Sequence, residues 1–364
     1  TTQGGSGGSS GEGEGGETPI QIAVGDAAGC VTLMSALLSP THAHSGEGSE
    51  VAAGRRTLSI EVKEVHAGIV GEGKSVYCLL FAHQRDEERG GKEKDYLLVG
   101  GDSGELKAID LTSAPHRILT LGNGRSHLSA IHGITAVPSS GGVVTCSKDY
   151  DLLYWKPVVH SDDHPFLVSS ILRGHSHQVL CVCASASVVW SCGKDKTVRQ
   201  WDVSVAVNMA TQEEVQLRAE PIEGCSLKGD GKLLAVACDD RVVRLYRHAT
   251  DTQHLKSLGG KSFVPPMFKN RPDYVPPPTF DGWVMFCCFS PFSPAPSSSL
   301  PASKGEWLLT GDSTGKVLVW HVQDDGRMVN ANVRKEFKHD KYAACGDFTS
   351  NGRVCAVGSH SEVK

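Results

Sequence analysis

The residues Gly68-Ile69-Val70-Gly71-Glu72-Gly73-Lys74-Ser75 satisfy G-x-x-x-x-G-K-[ST], a pattern in which backbone N–H groups cradle phosphates and the lysine reaches the terminal ones. That chemistry needs a strand before the motif and a helix after it. The strand is expected, because Leu58-Ser59-Ile60-Glu61-Val62-Lys63 alternates. The helix is not: Ser75 to Phe81 reads SVYCLLF, dense in apolar and β-favouring types. A turn between sheets is the stronger reading of Lys74, and a nucleotide-dependent enzyme the weaker. His42 and His44 in THAHS have no acidic or Cys companion with which to hold a metal. Ser39-Pro40, Ser290-Pro291 and Ser293-Pro294 could accept a proline-directed kinase's phosphate, although Ser-Pro in a loop is first of all a turn. The twelve cysteines include no C-x-x-C pair, so a zinc site has no support in the spacing. The chain is not small and opens on no signal peptide, so these cysteines read as buried thiols in a nuclear or cytosolic protein. No catalytic residue, metal or cofactor is assigned.

The elements that would position such residues are strands. Leu172 to Val203, LRGHSHQVLCVCASASVVWSCGKDKTVRQWDV, places two strands of period-2 patterning and a Gly-Lys-Asp-Lys turn between a Gly-His and a Trp-Asp. The pattern recurs. Arg125-Ser126-His127 and GVVTCSKDYDLLYWKP form a second strong copy, with His127 and His175 48 residues apart. Weaker copies hold YLLVGGDSGELKAIDL, where Ile109 replaces the Trp, and CSLKGDGKLLAVACDDRVVRLYRH, with Asp240 and Tyr246. Another is WLLTGDSTGKVLVWHV, with Trp320 in place but Thr314 where the turn Asp should be.

The Gly-His and Trp-Asp punctuation resembles the WD-repeat family of β-propellers, with repeats of roughly 40–45 residues and four strands per blade. The resemblance implies an all-β propeller, expected to have seven blades of four antiparallel strands. It also implies that the His, a Ser or Thr, the turn Asp and the Trp of a repeat form a buried hydrogen-bonded chain. Here those places fall on His175, Ser191, Asp195 and Trp201, and on His127, Thr145, Asp149 and Trp155. His175, Ser191 and Asp195 have the residue types of a catalytic triad, but the resemblance assigns them to packing.

The Gly/Ser/Glu tract over residues 1–18 is expected to be disordered, and residues 19–364 to form the propeller with loop insertions at 39–57, 83–94, 259–281 and 290–304. The first repeat shows no opening strand and the last stops within its third, so the chain reads as truncated at both ends. No apolar run approaches the ~18 residues of a membrane helix. A net charge of −5 gives no bulk case for nucleic acid, which is expected as a partner only indirectly.

The implied role is a non-enzymatic protein-interaction scaffold, a subunit of a multiprotein complex. A histone or peptide-tail reader and an RNA-processing subunit are the alternatives. Partners of such propellers dock on the face carrying the inter-blade loops. The residues implied there are Ala130, His132 and Lys148 in one repeat and Gln178, Leu180 and Lys194 in the next, a small positive patch suited to an acidic peptide segment. Asp102 and Asp239 hold the lysine places in the flanking repeats, so the face is expected to be electrically two-sided.

Overall fold

The computed structural model describes residues 2–4, 20–40, 58–69, 73–86, 91–122, 124–158, 160–204, 212–216, 221–228, 231–247, 253–258, 279–291, 306–324, 329–349 and 355–359. These residues form seven antiparallel sheets in chain order. The first holds β1 (Thr2–Gly4), β2 (Ile20–Gly25), β3 (Cys30–Pro40) and β4 (Leu58–Ile69); the second, β5 (Val76–Asp86), β6 (Lys92–Gly101), β7 (Lys107–Asp110) and β8 (Arg117–Thr120). The third comprises β9 (Ile131–Val137), β10 (Gly142–Ser147), β11 (Leu152–Pro157) and β12 (Phe166–Leu172). In the fourth are β13 (Val179–Ser185), β14 (Val188–Gly193), β15 (Thr197–Asp202) and β16 (Gln212–Gln216). The fifth has β17 (Ile222–Leu227), β18 (Leu233–Cys238), β19 (Val242–Arg247) and β20 (Gln253–Leu258). The sixth has β21 (Val284–Phe289), β22 (Glu306–Asp312), β23 (Lys316–Asp324) and β24 (Val329–Lys338), and the seventh pairs β25 (Ala343–Phe348) with β26 (Cys355–Ser359).

Each apolar cluster lies between two consecutive sheets. Ala23, Val31 and Leu33 pack on Leu97, Val99 and Ile109; Tyr96 and Leu98 meet Trp155 and Phe166; Tyr154 and Leu172 meet Val189 and Trp201. The succession continues through Trp190 with Tyr246, Leu245 with Trp320, and Leu309 with Ala343 and Val357. A strand sandwiched this way is covered on both faces, which is why β10 and β18 are buried at every position and why β18 reads as an unbroken apolar run. Sheets stacked face to face in sequence are the architecture of a β-propeller.

The opening strands share one irregularity. In β5, β9, β13, β17, β21 and β25 the register slips at the second residue, leaving Tyr77, His132, Leu180, Glu223, Met285 and Ala344 without a Cα partner across the ladder. Each is a β-bulge, which re-aims the extra side chain. The hairpins joining second and third strands repeat as well: Gly104, Tyr150, Lys196, Arg241 and Gly315 all have positive φ. Just before one of these turns, a Cβ on Gly193 would stand 2.2 Å from the Gln178 carbonyl oxygen, so only glycine fits there.

Four expectations change. Thr2–Gly4 pairs with β2 and supplies the first sheet's opening strand, so the disorder expected over 1–18 does not hold there. Residues 5–19 lie outside the described residues. The charged 83–94 segment is largely ladder: His83 pairs with Asp95, Gln84 with Lys94 and Arg85 with Glu93, since opposite charges set across a strand pair support it. Ser39 and Pro40 belong to β3, paired with Ser59 and Leu58. Ser290 is buried; its Oγ accepts the Trp307 N–H, which removes it from an open phosphorylation loop. His42, His44, Ser293, Pro294 and most of the 259–281 insertion lie outside the described residues.

Candidate functional site: the tetrads and the loop face

Lys74 precedes a strand. After Gly73, Lys74 and Ser75 the chain enters β5 with no helix, so no helix N-terminus is present to receive phosphates. The hollow beside Lys74, lined by Ser75, Gly101, Glu105 and Lys107 among others, encloses about 10 Å³, the room of a single water. ATP is expected not to bind in the millimolar range, by equilibrium dialysis, and Lys74→Ala to leave partner capture intact. Saturable binding that Lys74→Ala removes would restore the phosphate reading.

Both complete tetrads are assembled. The His175 ring lies 2.7 Å from Asp195 Oδ2 through Nδ1 and 2.7 Å from Ser191 Oγ through Nε2, and Trp201 Nε1 donates to the same Oγ at 2.8 Å. His127 repeats this with Asp149 (3.0 Å) and Thr145 (2.8 Å), and Trp155 donates to Thr145 Oγ1 at 2.9 Å. One proton pattern satisfies each set: the indole N–H donates to the hydroxyl oxygen, the hydroxyl donates to His Nε2, and Nδ1–H donates to the carboxylate. The Asp carboxylates also accept backbone N–H groups, from Ser176 and Thr197 in one case and Leu128 and Asp151 in the other. Although a serine, histidine and aspartate stand in triad order, Ser191 is 0% exposed and its oxygen already receives the indole. A nucleophile must reach its substrate; this one is sealed in the sheet. Burial pushes the Asp195 carboxyl up, but the hydrogen bonds from His175 and Thr197 outweigh it and hold its pKa at about 2.

The sixth sheet reaches the same end differently. Trp320 Nε1 donates to Thr310 Oγ1 at 2.9 Å, and Phe280, four residues before β21 as His175 is before β13, packs with its ring tilted 47° and 6.2 Å from Trp320 in the histidine's place. The carboxylate comes from Asp312, not from position 314. Asp312 is 0% exposed and accepts the N–H groups of Asp281, Gly282, Thr314 and Lys316. With an apolar ring where the imidazole would be, the carboxylate binds the incoming loop's backbone directly.

The residues implied for the loop face sit at equivalent places. The N–H groups of Asp102, Lys148, Lys194, Asp239 and Ser313 donate to the carbonyls of Ser75, Ala130, Gln178, Pro221 and Trp283, at 2.9–3.1 Å. Ala130 is therefore a buried backbone acceptor, and Gln178 offers its carbonyl in the same way. The bulge residues stand beside them. Burial lowers the His132 pKa, and Lys148 and Lys194 lower it further, so both lysines lie within electrostatic reach of one ring. On one side the Tyr77 ring packs 5.5 Å from His132, tilted by 33°, and its O–H donates to Asp102 at 2.8 Å. On the other, burial and the charge of Asp239 raise the Glu223 pKa while Lys194 opposes them. An arc across four sheets thus runs acid, base, base, acid, and Leu180, the slipped residue of β13, is half-buried. The spacing of Gly-His and Trp-Asp locates the lysines; the bulges that present His132 and Leu180 have no sequence signature.

Residues 166–202 match the family model described as WD domain, G-beta repeat. The chain is 25% identical over 193 residues to an uncharacterized WD repeat-containing protein of Schizosaccharomyces pombe, covering 52% of this chain and 47% of that one. It therefore spans about half the length of that relative. Protein groucho of Drosophila melanogaster is 30% identical over 112 residues, 29% of this chain and 14% of groucho. Among solved structures, U3-55K superposes with a TM-score of 0.60 at 16% identity, over 93% of this chain and 84% of that one, a likeness of fold. Repeated sheets and the fold likeness make the chain a β-propeller, and its fourth repeat, which holds one of the assembled tetrads, is similar to the WD repeat.

Proposed function

We propose that this propeller is a non-enzymatic scaffold, an intracellular subunit of a multiprotein assembly that holds a partner's acidic segment against Lys148 and Lys194. The observation that carries the reading is the arc itself: two exposed lysines from adjacent turns act on His132 and are bounded by Asp102 on one side and Glu223 with Asp239 on the other. Such a face favours one orientation of a charged ligand and penalises the reverse. Leu180 gives the segment an apolar contact. A fold neighbour solved as part of the Mitotic Checkpoint Complex, at a TM-score of 0.58 and 14% identity over 95% of this chain, supports an assembly role for the fold. The test is charge reversal. Lys148→Glu with Lys194→Glu is expected to weaken capture of the native partner by about 1–3 kcal/mol at an unchanged melting temperature, as for surface sites outside the core. Undiminished capture by the folded double variant would remove the arc as the docking site.

A further inference from the structure

We infer that Cys181, Cys192 and Cys225 form a three-sulfur site for a soft, thiophilic metal ion, Cu(I), between the fourth and fifth sheets. No spacing motif announces it, because the three residues converge only through the fold. Cys181 and Cys192 are direct partners across β13 and β14, and directly opposed residues of a ladder point to the same face. Cys225 comes from β17 in the next sheet, in the same apolar layer as Trp190, Ile222 and Val236. Their three Sγ atoms all lie within 4.8 Å of one another. A cysteine packed only as a small hydrophobe has no need of other cysteines; three sulfurs this close together can serve as one ligand set.

The donor chemistry selects the ion. All three donors are sulfur, which favours Cu(I) or zinc over hard cations. Structural zinc is almost always four-coordinate. The next thiol, Cys183, approaches Cys225 at 3.5 Å but is not within reach of all three. Three-coordination therefore points to Cu(I). Cys192 and Cys225 are buried and Cys181 is half-buried. Each sulfur that ligates as thiolate releases one proton to solvent, and no electron is transferred.

The test uses the reduced whole chain without oxygen, titrated with Cu(I) against a chromogenic Cu(I) chelator. One equivalent should bind with high affinity, X-ray absorption should report three sulfur neighbours, and Cys192→Ala and Cys225→Ala should each lose binding at least tenfold. Cys355→Ala, far along the chain in β26, should bind as the wild type does. Should the buried variants fail to fold, the wild type still decides the matter: Cu(I) should slow alkylation of Cys181, Cys192 and Cys225 selectively, as read by peptide mass spectrometry. Protection spread evenly over all twelve cysteines, or binding unaffected by Cys192→Ala, would overturn the site. A four-sulfur zinc centre that includes Cys183 would overturn the assignment to Cu(I).

Discussion

Asp312→Ala is expected to lower the stability of the protein by about 2–4 kcal/mol, more than any substitution at the neighbouring turn. The carboxylate is fully buried and receives four backbone N–H groups, two of them from the loop that enters the sixth sheet. Alanine leaves those donors facing a void, and a buried donor without an acceptor costs roughly 1–3 kcal/mol. Thr314→Ala removes one hydroxyl that donates to the same carboxylate and should cost about 1 kcal/mol or less. Urea denaturation of the two variants side by side checks the order. If Thr314→Ala proved the more damaging, position 314 would be the anchor after all.

Acid should dismantle the fourth-sheet tetrad in a defined window. The Asp195 carboxyl has a folded-state pKa of about 2 against an ordinary 3.8. A carboxyl depressed by folding contributes stability above its unfolded value and loses it as the pH falls through the folded one. The contribution, on the order of 2 kcal/mol at neutral pH, should therefore fade between about pH 4 and pH 2. Asp195→Asn should be less stable than the wild type at pH 7 and approach it toward pH 2. Trp201→Phe, which removes an indole N–H from Ser191, should instead cost about 1–3 kcal/mol whatever the pH. Parallel stability curves for wild type and Asp195→Asn down to pH 2 would show that the carboxylate's charge contributes nothing.

The legible parts of this fold are those where side chains dictate the backbone. Central strands such as β10 and β14 read correctly because both faces are covered and every residue is apolar or small. The tetrads were legible because the Gly-His and Trp-Asp punctuation resembles the WD repeat, whose buried indole and imidazole need partners. Thr2–Gly4 was not, since a three-residue strand in a Gly/Ser tract is held by backbone pairing to β2 and carries no apolar pattern. The 83–94 ladder was hidden for the opposite reason: its cross-strand partners are charged, as in the 2.6 Å contact of His83 with Asp95, and a run of charges reads as a solvated loop. Asp312 escaped because the turn aspartate was sought six residues before Trp320, while Phe280 in the histidine's place lets a carboxylate two residues earlier reach the loop backbone.

The slipped residue at the start of each opening strand separates two kinds of inheritance within one sequence. Because Tyr77, His132, Leu180, Glu223, Met285 and Ala344 have no partner across the ladder, their identities are not tied to strand register, although Met285 packs on the apolar layer between the sixth and seventh sheets. Tyrosine, histidine, leucine, glutamate, methionine and alanine all occupy the same backbone geometry in one molecule. Five of these positions can thus be rewritten while the scaffold stays constant, so that an engineer could exchange a basic sector for an acidic or aromatic one by grafting side chains between repeats of this same chain.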